Sequence, residues 1–131
     1  MKILVADDDT PLRKSICLLL TKLGHTSIEA RNGSEAMDLL DTILDFDAVI
    51  TDVQMPGASG IDILQHMHRS DMTPPTYVHS SENTFLFHGN WWELPRDIPM
   101  YFGEFASFRK KEAGMLQDIT AFTESFVPKK T

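Results

Sequence analysis

Cysteine is almost absent from this chain: Cys17 stands alone, so no disulfide can close within it and no cysteine-based zinc site is suggested. That usage suits a reducing compartment, and a cytoplasmic location is the expectation. Long apolar runs are missing as well. None approaches the roughly 20 residues that a membrane-spanning helix needs, and the start, one lysine before a short strand-like run, does not read as a secretory signal. No membrane partner is expected. Positive charge is scarce, with 12 Lys and Arg against 19 Asp and Glu and a formal net charge of −7. Binding to a phosphate backbone needs a basic footprint, so no nucleic-acid partner is expected either. Cations and basic partner surfaces fit the charge better. Repeats and low-complexity tracts are also lacking. What remains is a chain of 131 residues, 42% hydrophobic, long enough for one core and one domain.

The first two thirds alternate strand and helix. Lys2 to Ala6 is a short apolar run that stops at Asp7, Asp8 and Asp9, as a buried parallel strand does. Thr10-Pro11 opens a helix, with Thr read as N-cap and Pro at the first turn. Leu12, Ile16, Leu19, Leu20 and Leu23 keep helical spacing up to a stop at Gly24. Thr26 to Ala30 is a weaker second strand. Arg31-Asn32-Gly33 is a turn, and Ser34 caps a helix to about Leu44. Phe46 to Thr51 is a third strand, ending at Asp52, followed by the loop Met55-Pro56-Gly57-Ala58-Ser59-Gly60. Ile61 to Arg69 is helical. Pro74-Pro75 breaks the chain, and Thr76 to His79 is a fourth strand ending at Ser80-Ser81. This alternation predicts an α/β fold with a parallel sheet, whose ligands sit beyond the carboxyl ends of the strands.

Those ends carry the chemistry. Three aspartates follow the first strand, Asp52 follows the third and two hydroxyls follow the fourth. Carboxylates gathered on one rim repel, and are stable only when protonated, solvated or bridged by a cation. Oxygen ligands on an open rim suit a hard divalent ion such as Mg²⁺, which takes one or two carboxylates and keeps waters. The bland reading of Asp7 to Asp9 is an acidic loop at the positive end of the next helix. The histidines add no ligand set: His66 and His68 point apart at i, i+2, and His25, His79 and His88 are scattered. Cys17 reads as a core residue of an amphipathic helix.

Taken together, ILVADDD before Pro11, then ITDVQMPGASGIDIL, then PPTYVHSS resembles the receiver domain of two-component response regulators, over residues 1 to about 82. The resemblance implies a doubly wound, five-stranded parallel sheet of flavodoxin-like order 2-1-3-4-5. It implies Mg²⁺-dependent acceptance of a phosphoryl group from a histidine kinase or phosphotransfer protein. By motif position Asp52 is the phospho-acceptor, Asp8 a direct Mg²⁺ ligand, and Asp7 a ligand acting mainly through water. Gln54 lends a backbone carbonyl and Ser80 is the switch hydroxyl. Such a chain is an acceptor and signalling switch rather than a turnover enzyme. Residues 1–127 form the receiver domain and 128–131 a flexible tail. Ala58-Ser59 depart from the family's usual loop residues.

After Ser81 the pattern fails, and an irregular or missing fourth helix is expected. Eight of the 12 aromatics lie between Phe85 and Phe108. The family's last strand ends in a lysine that reaches the phosphoryl group. With Met100 to Phe102 as that strand, no lysine is present. With Glu104 to Phe108, Lys110 takes the role, or less readily Lys111; this register leaves a final helix of ordinary length and is preferred. The family's aromatic switch, three residues earlier, then falls on Ser107 or Phe108. Phe85, Phe87, Trp91 and Trp92 either fill the gap left by a helix or form a partner anchor. One of the two tryptophans is expected to be exposed. The 85–108 region and the last helix, with apolar positions Met115, Ile119, Phe122 and Phe126, are the expected face for a downstream protein. Two other readings are a phosphorylation-independent interaction module and a Mg²⁺-dependent hydrolase, for which the chain leaves little room for a substrate cap.

Overall fold

The computed structural model describes residues 1–103, 105–111 and 114–125; the tail at 128–131 and the inward position assigned to Phe126 lie outside them. The chain runs β1 (Lys2–Ala6), α1 (Thr10–Lys22), β2 (Thr26–Ala30), α2 (Gly33–Thr42), β3 (Ala48–Asp52), α3 (Gly60–Arg69) and β4 (Thr76–Ser80). It continues with β5 (Thr84–Phe87), β6 (Asn90–Glu93), α4 (Leu94–Phe102), β7 (Ala106–Lys110) and α5 (Met115–Glu124). Five strands form one parallel sheet in the order β2-β1-β3-β4-β7. With β7 as its fifth strand, this is the doubly wound 2-1-3-4-5 order.

Strand alternation splits the core in two. Ile3 and Val5 of β1, Ala48 and Ile50 of β3, and Tyr77 of β4 pack on Ile16, Leu20, Met115 and Ile119 of α1 and α5. Leu4, Ala6, Val49 and Val78 face the other way, onto Ala36, Leu40, Leu64, Met67, Ile98 and Phe102 of α2, α3 and α4. Strands buried on both faces need unbroken apolar runs, which is why β1 and β3 read as such.

The helix starts differ slightly from expectation. Asp9, not Thr10, caps α1 by accepting from the Leu12 N–H at 3.2 Å. Asn32 caps α2 through the Glu35 N–H at 2.8 Å. Ser59 and Asp62 form a reciprocal capping box on α3, which satisfies two of the helix's free N–H groups.

After Ser81 the fourth helix is present but short, with Pro95 in its first turn and Pro99 inside it. A two-stranded hairpin precedes it, with Phe87 paired to Asn90. The sequence reading did not anticipate this hairpin. Its turn, His88-Gly89, has both φ angles positive, at 51° and 77°. That is the geometry of the two-residue turns that match strand twist. Asn-Gly is the usual signal for it, and here histidine fills the first position. The Met100 to Phe102 register fails because those residues belong to α4. The preferred register holds over Ala106 to Phe108, and the strand runs on to include Lys110; Glu104 lies outside the described residues.

Candidate functional site

The site lies at the carboxyl end of the sheet. In the parallel register Ala6 stands beside Thr51, and Asp52 beside His79. Registered neighbours point to the same face, so Asp7, Asp52 and His79 line up side by side above the α1/α5 core. Each offers a ligand atom, and these atoms lie within 4.8 Å of one another.

Asp7 is fully buried. Its N–H donates to the Ala30 carbonyl at 3.1 Å and its Oδ1 accepts from the Asp9 N–H at 2.9 Å. Its Oδ2 accepts no hydrogen bond among the described residues and lies 3.4 Å from His79 Nε2. Burial, with the charges of Asp52 and Asp8 adding to it, pushes the Asp7 carboxyl up to about 6. Asp8 is exposed, and its charge acts on both neighbours.

Asp52 is 5% exposed. Its Oδ1 accepts from the Gln54 N–H at 3.3 Å, and its Oδ2 accepts from Lys111 Nζ at 3.1 Å. Burial raises its pKa and the lysine opposes that rise without cancelling it. Lys111 is pulled down by its own burial, but Asp52, with the charges of Asp7 and Asp9 added, outweighs this and the net shift is upward. The pairing thus favours the charged lysine, while burial still draws Asp52 toward its neutral form.

Lys110, expected to make this contact, does not. It is exposed and forms the last residue of β7, beside Ser80. Side chains alternate along a strand, so Lys110 points to the face opposite Asp52 and His79, while Lys111, one residue on, returns to theirs. The Lys111 N–H anchors this turn on the Ser80 carbonyl at 2.8 Å. With Lys111 in place, the aromatic position three residues earlier is the half-buried Phe108.

Ser80 is fully buried at the end of β4, and its Oγ accepts from the Glu82 N–H at 3.1 Å. Gln54 is exposed on the loop after β3. Gly60 lets α3 start against the end of β3: its N–H donates to the Val53 carbonyl at 2.9 Å, and a Cβ there would collide with the Asp52 carbonyl. On the outer side, a cleft of about 700 Å³ runs between the Gln54–Gly57 loop and the hairpin residues Phe85–His88.

Two residues of the site went unremarked as site residues in the sequence. Arg13 is 5% exposed; its Nε donates to Glu29 and its guanidinium to the Asp7 carbonyl, both at 2.8 Å. Its place two residues after Pro11 gave no signal that it would turn back onto the strand end. His79 was set aside as scattered. It is wholly buried, and neither ring nitrogen makes a hydrogen bond among the described residues. Burial first, then the Lys111 charge, pulls its pKa down to about 3, so the ring is neutral. The legible signal was its place one residue before Ser80 at the end of a short strand; its register with Asp52 is shown only by the structure.

The model of the response regulator receiver domain family matches residues 3–87. The chain belongs to this family. Among curated relatives, a receiver-family match to the uncharacterized transcriptional regulatory protein YrkP of Bacillus subtilis is 34% identical over 83 residues, covering 63% of this chain and 35% of that protein. A chemotaxis protein CheY homolog of Campylobacter jejuni is 42% identical over 66 residues, covering 50% of this chain and 51% of that one. This receiver chain thus matches between about a third and a half of the length of those relatives. Among solved structures, a response regulator receiver domain protein of Clostridium thermocellum superposes with a TM-score of 0.76 at 26% identity, covering 95% of this chain and 91% of that one. The response regulator protein TrrA of Thermotoga maritima, solved with Mg²⁺ and BeF, has a TM-score of 0.73 at 18% identity, covering 96% and 98%; this likeness is one of fold. The matched span stops at Phe87, the last residue of the hairpin's first strand.

Proposed function

We propose that this receiver domain accepts a phosphoryl group on Asp52 from a histidine kinase or phosphotransfer protein, and that the new charge switches a partner-binding face. The observation that carries this reading is the buried Asp52 carboxylate held by Lys111 beside Asp7 and under the charge of Asp8. A Mg²⁺ ion fits the residues present: Asp7 Oδ2 is a buried oxygen without a hydrogen bond, and the neighbouring carboxylates repel one another. Asp8 and Asp52 would hold it directly, Asp7 through water and Gln54 through its carbonyl. When bound, it neutralises charge on the transferring oxygens, which is where phosphoryl transfer gains most.

The chain's own groups do the rest. An Asp52 oxygen attacks in line, its bond to phosphorus forming as the donor's nitrogen–phosphorus bond breaks and the nitrogen leaves with the electron pair. Lys111 shifts its ammonium from the carboxylate to a phosphoryl oxygen. Ser80, registered beside Lys110 at the end of β4, must turn its hydroxyl over the strand end to donate to another, giving up the bond it accepts from the Glu82 N–H. Glu82 leads directly into the hairpin, so that movement reaches β5 and β6. Phe108 follows the turn of Lys111. A phosphoryl group brings roughly −1.5 to −2 charges, enough to reorder such contacts.

The downstream face is the hairpin, α4, β7 and the last helix, where Leu86, Trp91, Met100 and Tyr101 are exposed. The acceptor is consumed once per phosphoryl group, so the domain acts as a switch rather than a turnover enzyme. A cytoplasmic setting, with neither nucleic acid nor membrane as partner, belongs to the same reading. Among the described residues no helix is long and apolar enough to cross a membrane.

The test is incubation with acetyl phosphate and Mg²⁺ followed by intact mass. A gain of one phosphoryl group that needs Mg²⁺ and is absent from Asp52→Asn is expected; no gain at any Mg²⁺ concentration refutes the reading.

A further inference from the structure

His79 has no task in phosphoryl transfer. Burying an imidazole with both nitrogens unbonded is costly, and among the described residues no hydrogen bond offsets that cost. The ring instead stands over the one Asp7 oxygen that also lacks a hydrogen bond, with 3.4 Å between His79 Nε2 and Asp7 Oδ2. Two ligand atoms about 3.3–3.4 Å apart are the edge of a tetrahedron whose metal–ligand bonds are about 2.0–2.1 Å, the lengths zinc makes to histidine and carboxylate. Asp52 supplies a third ligand atom, with all three inside 4.8 Å.

We propose that His79, Asp7 and Asp52 form a site for a borderline divalent ion of the zinc class, so that this acidic pocket prefers Zn²⁺ to Mg²⁺. Imidazole suits zinc and the late first-row ions, whereas magnesium selects oxygen and keeps its waters. Lys111 would release Asp52 Oδ2 on binding. The ion would meet these three protein ligands. Zinc held this way ties up the Asp52 carboxylate and thereby opposes phosphorylation. That consequence rests on the phospho-acceptor reading; the affinity itself does not.

The experiment is calorimetric titration of the purified chain with Zn²⁺ and with Mg²⁺, without any phosphodonor, for wild type, His79→Leu and Asp52→Asn. Wild type is expected to bind one Zn²⁺ at least about 100-fold more tightly than Mg²⁺. His79→Leu should weaken Zn²⁺ binding by about 10–100-fold and change Mg²⁺ binding by less than about threefold. Asp52→Asn should weaken both. Unchanged zinc affinity in folded His79→Leu overturns the proposal, as do equal losses for the two ions, which would mark a packing role. Should His79→Leu not fold, ¹⁵N spectra of wild-type histidine rings decide. A zinc-induced shift at His79 Nε2 supports the site, and shifts confined to His25, His66, His68 or His88 overturn it. A failure to phosphorylate with these titrations succeeding would count against the acceptor reading alone.

Discussion

Asp7→Asn should make the metal-free protein more stable, although it removes a buried, hydrogen-bonded side chain. The Asp7 carboxyl is pushed from 3.8 to about 6 in the folded chain, the reverse of the usual aspartate. Between those values the folded state holds a proton that the unfolded chain has released, so this group's contribution to stability falls as pH rises from about 4 to about 6 and stays lost above that. With about 1.4 kcal/mol per pH unit, the ionised carboxylate costs about 3 kcal/mol near neutral pH. The side chain is fully buried, so solvent screening reduces this little. Asparagine keeps the shape, keeps the oxygen that accepts from Asp9, and turns its amide toward His79 Nε2. Allowing for an imperfect amide bond, the expected gain is about 1–3 kcal/mol, a rise in Tm of about 3–10 °C for a domain of this size. The assay is thermal unfolding by circular dichroism in EDTA at about pH 7.5, compared at fixed pH. A pH scan of wild type alone would mislead, because His79, held down to about 3, destabilises in the opposite direction as pH falls from about 6.5. Saturating Mg²⁺ should narrow or reverse the difference, since a ligand stabilises only the form that binds it. An Asp7→Asn protein no more stable than wild type in EDTA would refute the claim that the pocket stores electrostatic cost for a cation to relieve.

Further outcomes follow from the same geometry. Lys111→Ala should abolish the change in amide NMR spectrum on treatment with phosphodonor and Mg²⁺, and Lys110→Ala should leave it intact; identical behaviour of the two would contradict the observed alternation. Gly60→Ala, which sets a methyl against the Asp52 carbonyl, should cost about 1–3 kcal/mol in a urea melt, whereas Gly114→Ala meets open space and should be near neutral. Trp92, in ring contact with Phe87, Tyr101 and Phe102 at centroid distances of 5.6, 4.8 and 6.1 Å, should lose about 2 kcal/mol on truncation to alanine. Trp91, 72% exposed, should lose less than about 0.5 kcal/mol; if the two cost the same, the hairpin is packed differently.

The sheet was legible because its strands are buried on both faces and so cannot hide their apolar runs: Ile3 to Ala6 and Ala48 to Thr51 announce themselves, and the aspartates that end them fix the rim. The resemblance to receiver domains then singled out Asp7, Asp8, Asp52 and Ser80 as candidates. What escaped was set by long-range register. Lys110 and Lys111 are equivalent as letters; only the pairing of Ser80 with Lys110 decides which side of the sheet each faces. The hairpin escaped because its turn uses His88 where asparagine is the usual sign, and because four-residue strands give too little alternation to read. His79 escaped for a related reason. A histidine counted along one strand has no partners, and its neighbours Asp7 and Asp52 become neighbours only across three strands. The aromatic segment divides as the alternation allows: Phe87 is buried, Trp92 half-buried and Trp91 exposed.

The most direct test of the phospho-acceptor account is chemical trapping of the phosphorylated residue. The chain is treated with acetyl phosphate and Mg²⁺ and reduced with borohydride, which converts an aspartyl phosphate to homoserine, and the modified peptide is then sequenced by mass spectrometry. Homoserine at position 52 alone, lost when Mg²⁺ is omitted, is the expected result. Homoserine at Asp7, Asp8 or Asp9, or at no aspartate in a chain that remains folded, would contradict it.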